Sequence, residues 1–353
     1  MRMVLQIVRL RAVCFALLFL AAASCCGQSQ KSSEITIGFS IENTKGERWQ
    51  TDLDEFQQRA AQLGAVVVTR SANGDDDLQF QQVKEMLAGG IDVLVIMPHD
   101  TEKAARIVEA AHAKHVPVLS YDRLAHNTPV DLYVGFDLFQ VGVLQAQTLV
   151  EQAPKGNFLL LGGSPLDFNS KIVRAGQMKV LQPLIDRRDI KVAGDIWVPE
   201  WSATQAYLLV AQALQKMDVP LTAIVASNDS TAGGAIQALE DKGWSGKVLV
   251  SGQDADLAAV ARLYEGTQFM TVYKPLAGFA RTAAEAAVKL AKHQDFGATV
   301  NVPNGDQMTR AILFTPIAVT RQNAKDTVLK DGFQKADIVK QALPKDKQAE
   351  LER

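Results

Sequence analysis

Four segments of this chain end an apolar run with polar side chains that could hydrogen-bond a small molecule. The segments are 118–123, 224–229, 248–254 and 270–275. Each begins like a buried β-strand and continues into carboxylate, amide, arginine or lysine side chains. In open α/β sheets, ligands bind in the crevice beyond the carboxyl ends of the strands. The pattern therefore predicts a site for a small, neutral molecule that carries many hydroxyl groups, such as a sugar.

Three other segments add side chains of the same kinds. Segment 47–50 opens the first predicted helix, segment 167–169 follows the glycines at 162–163, and segment 197–201 begins and ends with tryptophan. The two glycines, with Ser164 and Pro165 after them, resemble a phosphate loop, but proline lacks one of the N–H donors that such a loop needs. A tight turn that lets the chain approach a ligand explains the glycines better.

Several candidate residues also have a purely structural explanation. Trp201 could belong to the core, and Asp122 with Arg123 could form an exposed ion pair of little consequence. Asn228 could cap the helix predicted to follow it, either instead of contacting a ligand or in addition. Lys274 could simply end a strand. These residues lie just beyond predicted buried strands, and Lys274 lies where we expect the chain to cross from one lobe of the protein to another. Both positions favour a role in the site.

Apolar strands alternate with amphipathic helical stretches along most of the chain, which predicts parallel sheets covered by helices on both faces. We expect helices at 49–63 and 78–87 and two Rossmann-like lobes, with the break between them near 136–141. The predicted strands are 35–39, 65–69, 91–97, 116–121, 132–136, 158–161, 191–197, 223–227, 247–252 and 269–273.

The N-terminal segment, residues 1–24, has the pattern of an export signal. Three arginines precede a short apolar run, and small residues follow it. The run is shorter than the ~20 residues that a membrane-spanning helix needs. Small residues before Cys25 resemble a bacterial lipoprotein cleavage box, although Ala22 stands where a large aliphatic residue is usual. The sequence therefore predicts either a lipid anchor at Cys25 or plain cleavage, and in both cases a protein in the periplasm or at the cell-envelope surface.

Composition excludes several classes of function. The chain has three cysteines, all within the first 26 residues, so the remainder can form neither disulfides nor cysteine metal sites. Its 37 basic and 39 acidic residues give no basic patch for nucleic acid. Dinucleotide-binding, phosphate-loop and nucleophile-elbow motifs do not occur. We therefore expect no cofactor, no metal and no enzymatic activity.

One family shares a whole series of motifs with this sequence, in the same order. The motifs are Ser71-Ala72-Asn73-Gly74, Asp122-Arg123, Gly162-Gly163-Ser164-Pro165, Arg174-Ala175-Gly176-Gln177-Met178-Lys179, Ser227-Asn228-Asp229 through Ala235, Ser251 through Asp256, and Thr271-Val272-Tyr273-Lys274-Pro275. Over about residues 35–335, the chain resembles the D-xylose-binding proteins of bacterial ABC transporters, which belong to the type I periplasmic sugar-binding family.

The resemblance implies a type I periplasmic binding fold, in which two lobes are joined by three crossovers, near residues 140, 275 and 313. The polar composition after the export signal predicts a linker at 25–34, and the composition of the last residues predicts a polar C-terminal tail at 338–353. The N-terminal lobe would comprise 35–140 and 275–313, and the C-terminal lobe 141–274 and 314–337.

The resemblance also implies roles for individual residues. Trp49 and Trp201 would lie against the faces of a sugar ring, whose C–H groups suit the negative face of an indole. Phe168 departs from the family, which often has asparagine there, and this leaves open which pentose binds. The residues that would hydrogen-bond the sugar are Arg48, Asp122, Arg123, Asn169, Asn228, Asp254 and Lys274.

The resemblance, together with the export signal, implies a monomeric, exported solute-binding protein that delivers D-xylose, or a related aldopentose, to an ABC permease. It would meet the membrane only through a lipid anchor. Ribose, arabinose or glucose could be the ligand instead, and a sensory role in chemotaxis or for a sensor kinase is a further alternative. The ligand-sensing half of a repressor would need a helix-turn-helix head where this chain has its export signal. A sugar-modifying enzyme would need catalytic groups other than those that bind hydroxyls.

Overall fold

The computed structural model describes residues 34–43, 47–217 and 219–351, with the backbone alone at positions 47, 48, 277 and 350. The predicted export signal and Cys25 lie outside the described residues. Within them, none of the helices combines the length and the apolar character needed to span a membrane.

Strands and helices alternate through the first three quarters of the described chain. The strands are β1 (Ile35–Ile41), β2 (Ala65–Ser71), β3 (Val93–Met97), β4 (Val118–Tyr121), β5 (Leu132–Phe136), β6 (Gly156–Gly162), β7 (Ile190–Trp197), β8 (Ala223–Ala226), β9 (Leu249–Val250), β10 (Met270–Tyr273), β11 (Val300–Asn304), β12 (Gln307–Phe314) and β13 (Ile317–Thr320). The α-helices are α1 (Glu47–Gln62), α2 (Asp76–Ala88), α3 (Ala105–His112), α4 (Leu138–Gln152), α5 (Phe168–Asp186), α6 (Ala203–Gln215), α7 (Asp229–Asp241), α8 (Leu257–Glu265), α9 (Leu276–Ala291) and α10 (Ala336–Ala342).

The strands form two main sheets. The first has the order β11-β12-β5-β4-β3-β1-β2 and is parallel except for the β11–β12 pair. The second is fully parallel, in the order β7-β6-β8-β9. We call the first sheet with its helices the first lobe, and the second sheet with its helices the second lobe. This arrangement confirms the predicted α/β fold class with two Rossmann-like lobes.

The chain passes between the lobes three times. It leaves the first sheet after β5, and α4 then packs on α5 in the second lobe. It returns after β10, and α9 packs on α1, where Arg281 Nε donates to Glu55 Oε2 at 2.8 Å. It crosses again between β12, in the first sheet, and β13, which pairs antiparallel with β10. These three crossings form the connection expected of a hinge.

Helices on both faces explain why the central strands are apolar throughout. Every residue of β3, β4, β5 and β8 is buried, as parallel sheets with two covered faces require. In the first lobe, the aromatic rings of β1, α1, β4, β5 and α9 form one cluster. The ring centre of Phe279 lies 4.6 Å from that of Tyr121 and 4.7 Å from that of Phe136. This packing gives the strand ends a rigid base.

The segment predicted as a polar C-terminal tail packs on the second lobe. Helix α10 lies against α8, and the side chains of Val339, Leu343 and Leu351 are buried there with Tyr264. The sequence of this segment is polar although it packs, because only a few apolar residues are needed to attach it.

Candidate functional site

A cavity of about 460 Å³ lies where the carboxyl ends of the strands in the two lobes face each other. This volume lies within the roughly 300–1,000 Å³ typical of small-molecule sites. The lining residues are Glu42, Asn43, Trp49, Asn73, Gly74, Asp122, Arg123, Asp167, Asn169, Glu200, Trp201, Ser202, Ala203, Asn228, Ser230, Gln253, Asp254, Asp256 and Lys274. The walls are polar, with two indoles among them.

The cavity brings together the residues that the sequence selected. Those that line it are Trp49, Asp122, Arg123, Asn169, Trp201, Asn228, Asp254 and Lys274. The backbone of Arg48 lies in the first turn of α1, beside Trp49, but its side chain lies outside the described part of the structure. The structure thus shows where these residues are, and their contacts with a ligand stay a prediction.

Two carboxylates are held in the cavity by unusual backbone geometry. Asp122 follows β4 with φ of 60°, and Asp254 follows β9 with φ of 101°. Positive φ is uncommon outside glycine and tends to occur at ligand sites, where neighbouring structure holds it in place. Here the N–H of Asp122 donates to Val134 O at 2.9 Å, and the N–H of Asp254 donates to Val272 O at 2.8 Å. Each turn therefore aims an acceptor at a fixed position.

Arg123 lies buried between carboxylates from both lobes. Its Nη1 donates to Glu42 Oε2 at 2.7 Å and to Pro98 O at 3.2 Å, and its Nε donates to Asp167 Oδ2 at 2.9 Å. Burial lowers the pKa of Arg123, but the carboxylates of Asp167 and Glu42 outweigh this and raise it, so the guanidinium is charged. Burial raises the pKa of Asp167, and the charge of Arg123 offsets only part of that effect. A guanidinium has five N–H donors, so some are left for a ligand.

Lys274 and Asp254 form an ion pair beside the second crossover. Lys274 Nζ lies 2.8 Å from Asp254 Oδ1, and the lysine side chain is 4% exposed. The ammonium also lies 5.6 Å from the ring centre of Phe136. An ammonium has three donors and a carboxylate accepts only, so the pair could bind neighbouring hydroxyls with opposite roles.

Two buried asparagines offer amide groups to the cavity. Asn228 Oδ1 accepts from the N–H of Thr231 at 2.9 Å and so caps α7, which leaves its NH₂ group as a donor. Asn169 Nδ2 donates to Asp122 O at 3.1 Å, whereas its Oδ1 is buried without a partner among the described residues. Gln253 Oε1 is in the same situation. Unpaired buried acceptors are costly, and a hydroxyl donor would satisfy them.

Trp201 is held in place by a hydrogen bond and by a glycine. Its Nε1 donates to Asp167 Oδ2 at 3.2 Å. A Cβ on Gly163 would overlap the six-membered ring of Trp201, so the indole lies directly on the backbone there. This glycine therefore makes room for the indole, and the expectation that the turn also lets the chain approach a ligand stays a prediction.

Other polar groups of the cavity were not selected from the sequence. Glu42 and Asn43 directly follow β1, so the strand-end pattern that marked the other segments could have found them. Asp167, Glu200 and Gln253 lie in segments that the sequence did mark, but nothing there separated them from their neighbours. Their importance comes from contacts between segments distant in the chain.

The geometry suits recognition of hydroxyl groups. It combines charged and amide donors and acceptors with two half-buried indoles. Among the described residues, no group of three or more histidine, cysteine or carboxylate side chains could hold a metal ion. Carboxylates orient the cations Arg123 and Lys274, and Asp167 also holds the indole of Trp201.

Comparison with known proteins agrees with this description. A family model described as a periplasmic binding protein domain matches residues 37–295. The D-xylose-binding periplasmic protein of Haemophilus influenzae is 49% identical over 86% of this chain and 92% of its own length. That of Escherichia coli is 48% identical, again over 86% of this chain and 92% of its own length.

A solved structure with the same fold is the carbohydrate transporter solute binding protein from Chloroflexus aurantiacus, in complex with D-glucose. Its TM-score to this chain is 0.80 at 30% identity, and the match covers 86% of this chain and 97% of that protein. The family match runs from β1 through α9, so the similarity includes both lobes and the cavity between them.

Proposed function

The chain belongs to the periplasmic binding protein domain family, and we propose that it binds D-xylose, or a closely related aldopentose, between its lobes and delivers the sugar to the permease of an ABC importer. The resemblance inferred from sequence motifs is thereby confirmed at the level of the family. Its members are binding proteins, and we expect no turnover of the sugar.

The composition of the cavity is the main observation that supports this proposal. Its charged and amide side chains come from both lobes, and two indoles accompany them. Planar carboxylate, amide and guanidinium groups can each bond to two neighbouring hydroxyls, which fixes the configuration of both carbons. A nucleotide or an anionic substrate would instead meet the carboxylates of Glu42, Asp122 and Asp254.

Closure of the lobes is the mechanism we propose for coupling binding to transport. Arg123 and Trp201 lie on opposite lobes, so a sugar that contacts both binds the closed arrangement more tightly than an open one. A ligand shifts such an equilibrium by its differential affinity for the two states. The closed pair of lobes then presents the permease with a surface that the open protein lacks.

We propose that the mature protein is an exported monomer. Its lobes would have the boundaries predicted from the sequence, with 35–140 and 275–313 in one and 141–274 and 314–337 in the other. The leader at 1–24 would direct export, and Cys25 would carry the lipid if the protein is anchored. The periplasmic location of relatives supports export and leaves the anchor to experiment.

Titration calorimetry of the mature protein with D-xylose tests the function. We expect a dissociation constant near ~1 μM or lower, which corresponds to about −8 kcal/mol. L-arabinose, D-ribose and D-glucose serve as the comparison set, and chromatography after prolonged incubation checks that xylose is unchanged. Binding of another sugar but not of xylose would keep the binding-protein class and overturn the xylose assignment. A new product would overturn the non-enzymatic assignment.

A further inference from the structure

A histidine at the rim of the cavity joins the two lobes. His99 follows β3 in the first lobe, and its Nδ1 lies 2.9 Å from Oδ1 of Asp76, in the first turn of α2. Its Nε2 lies 3.1 Å from Oε2 of Glu200, which follows β7 in the second lobe. The imidazole thus bridges a carboxylate of its own lobe and a carboxylate of the opposite lobe.

This geometry selects the protonated form of His99. A neutral imidazole carries one N–H, so it can donate to one carboxylate only, whereas the imidazolium donates from both nitrogens. Burial lowers the pKa of His99, but the hydrogen bonds to Asp76 and Glu200 outweigh this and raise the pKa above its ordinary value. Contact geometry and charge therefore both favour an imidazolium in this structure, in which His99 of the first lobe contacts Glu200 of the second, an arrangement that we call closed.

The neighbouring charged side chains do not compete with the two contacts of His99. Lys103 Nζ lies 2.9 Å from Oδ2 of Asp76, the oxygen that His99 does not use, and 3.8 Å from Asp100. Burial raises the pKa of Asp76, but the hydrogen bonds from Lys103 and His99 outweigh it and lower that pKa. Arg106, on α3, is engaged by Asp77 at 2.7 Å. From the second lobe, the charged partner of His99 is Glu200.

The bridge ends on a turn with constrained backbone. Glu200 and Trp201 both have φ of 55°, a left-handed conformation that side chains other than glycine adopt only where surrounding structure holds them. Glu200 itself lines the cavity, and Trp201 is the indole that lies on Gly163. The contact of His99 with Glu200 therefore also affects the position of Trp201.

We propose that His99 is a positioning residue: when protonated, it clasps the Glu200–Trp201 turn to the first lobe, so that closure over the sugar takes up a proton. The proposal rests on the proposed function. On opening, His99 and Glu200 separate with their lobes, and the imidazole keeps only Asp76.

The sign of the pH effect follows from this difference. The pKa of His99 is higher in the closed state, which has both carboxylates, than in the open state. The clasp is fully present below the open-state pKa and is lost as pH rises through the closed-state pKa. Sugar affinity should therefore fall with rising pH, by up to about tenfold per pH unit between the two pKa values for a single proton.

Calorimetry with D-xylose between about pH 6 and about pH 9 tests the clasp, since histidine is the side chain that ordinarily titrates near this range. We expect the wild type to lose affinity as pH rises and to take up protons on binding, measured as a difference in heat between buffers of unlike ionisation enthalpy. His99→Gln should bind with an affinity that is nearly independent of pH and without this proton uptake.

Two further variants make the test specific. His112→Gln is the matched control, because His112 pairs with Asp131 at 2.8 Å within the first lobe, and it should keep the wild-type pH profile. Glu200→Gln should flatten the pH profile of xylose affinity, as His99→Gln does. Because the side chain of Glu200 is 56% exposed, the fold should tolerate this substitution even if His99→Gln does not fold. A flat wild-type profile, or an unchanged slope in Glu200→Gln, would overturn the clasp and leave the proposed function standing. Absence of xylose binding at every pH would overturn the proposed function and the clasp with it.

Discussion

Arg123 in the first lobe and Asp167 in the second form a buried ion pair across the cavity, with Nε 2.9 Å from Oδ2. The side chain of Arg123 is 8% exposed and that of Asp167 is 3% exposed. The same carboxylate oxygen accepts from Trp201 Nε1, and the other oxygen caps α5 at the N–H of Asn169. One carboxylate thus fixes an arginine, an indole and a helix start relative to one another.

Asp167→Asn tests this arrangement. The amide keeps an oxygen for the indole or the helix cap but removes the charge that faces Arg123. Loss of a charged hydrogen bond of about 1.5–3 kcal/mol predicts a roughly ten- to hundredfold weaker affinity for D-xylose, measured by calorimetry. Asp295→Asn is the control, because Asp295 pairs with Arg310 in an exposed position and such pairs contribute little. Equal affinities in the two variants would contradict the role given to Asp167.

Asp254→Ala tests the ion pair at the second crossover. The substitution removes an acceptor from the cavity and leaves the ammonium of Lys274 buried without that carboxylate. We expect folded protein with an affinity for xylose lower by about 1.5–3 kcal/mol, or roughly ten- to hundredfold. Asp189→Ala removes a carboxylate that pairs with Lys155 and Arg187 at the surface, and it should leave the affinity unchanged. A normal affinity in Asp254→Ala would remove Asp254 from the site.

Gly163→Ala tests whether the position of Trp201 matters. The added methyl group would overlap the indole ring, so the ring must move away from the backbone. Loss of a well-placed aromatic contact, of order 0.5–1.5 kcal/mol, predicts an affinity that is weaker by roughly two- to tenfold. At Gly278, in α9, the nearest atom to an added Cβ would be a ring carbon of Phe314 at 3.5 Å, an ordinary contact. Gly278→Ala should therefore bind xylose normally, and equal binding by Gly163→Ala would show that the indole does not contribute.

The central strands of the fold could be predicted because apolar runs such as β3 and β8 are buried on both faces. Strands β11 to β13 were missed, since Val300–Asn304 is largely exposed and contains a proline, and β12 follows it in a hairpin. Strand β9 is shorter than predicted: Leu249–Val250 pairs with β8 in register, and the chain then turns into the cavity. Local pattern finds buried strands well, and it missed β11 and β12 because most of their residues are exposed or half-buried.

The candidate site could be predicted where chemistry follows a strand directly, as at Asp122 and Asn228. The site could not be predicted where the role of a residue depends on its contact with a segment that is distant in the chain. Asp167 matters because Arg123, 44 positions away, reaches it across the cavity. His99 likewise acquires its role from Glu200, which is distant in sequence and lies in the other lobe. Contacts of this kind depend on how the lobes face each other, which no local pattern contains.

Cys25→Ser tests the lipid anchor. If Cys25 carries the acyl chains, the variant should appear in the soluble fraction or remain unprocessed, because stable anchoring requires more than one chain at ~0.8 kcal/mol per buried CH₂. Cys26→Ser is the matched control and should stay with the membrane. Mass spectrometry of the mature N-terminus identifies the modified residue. Wild-type protein that is already soluble after fractionation would favour plain cleavage of the leader.

Closure of the lobes about the hinge can be measured directly by small-angle scattering. Three chain crossings, after β5, β10 and β12, connect the lobes, so we expect the lobes to rotate while each sheet keeps its packing. We expect the interlobe bonds that Arg123 and His99 make in this structure to break when the lobes open, and a sugar that contacts Arg123 and Trp201 to add to them. We therefore expect saturating D-xylose to lower the radius of gyration of the wild type. Asp254→Ala, at a xylose concentration that saturates only the wild type, should show no change. An unchanged radius in the saturated wild type would exclude hinge closure even if calorimetry confirmed binding.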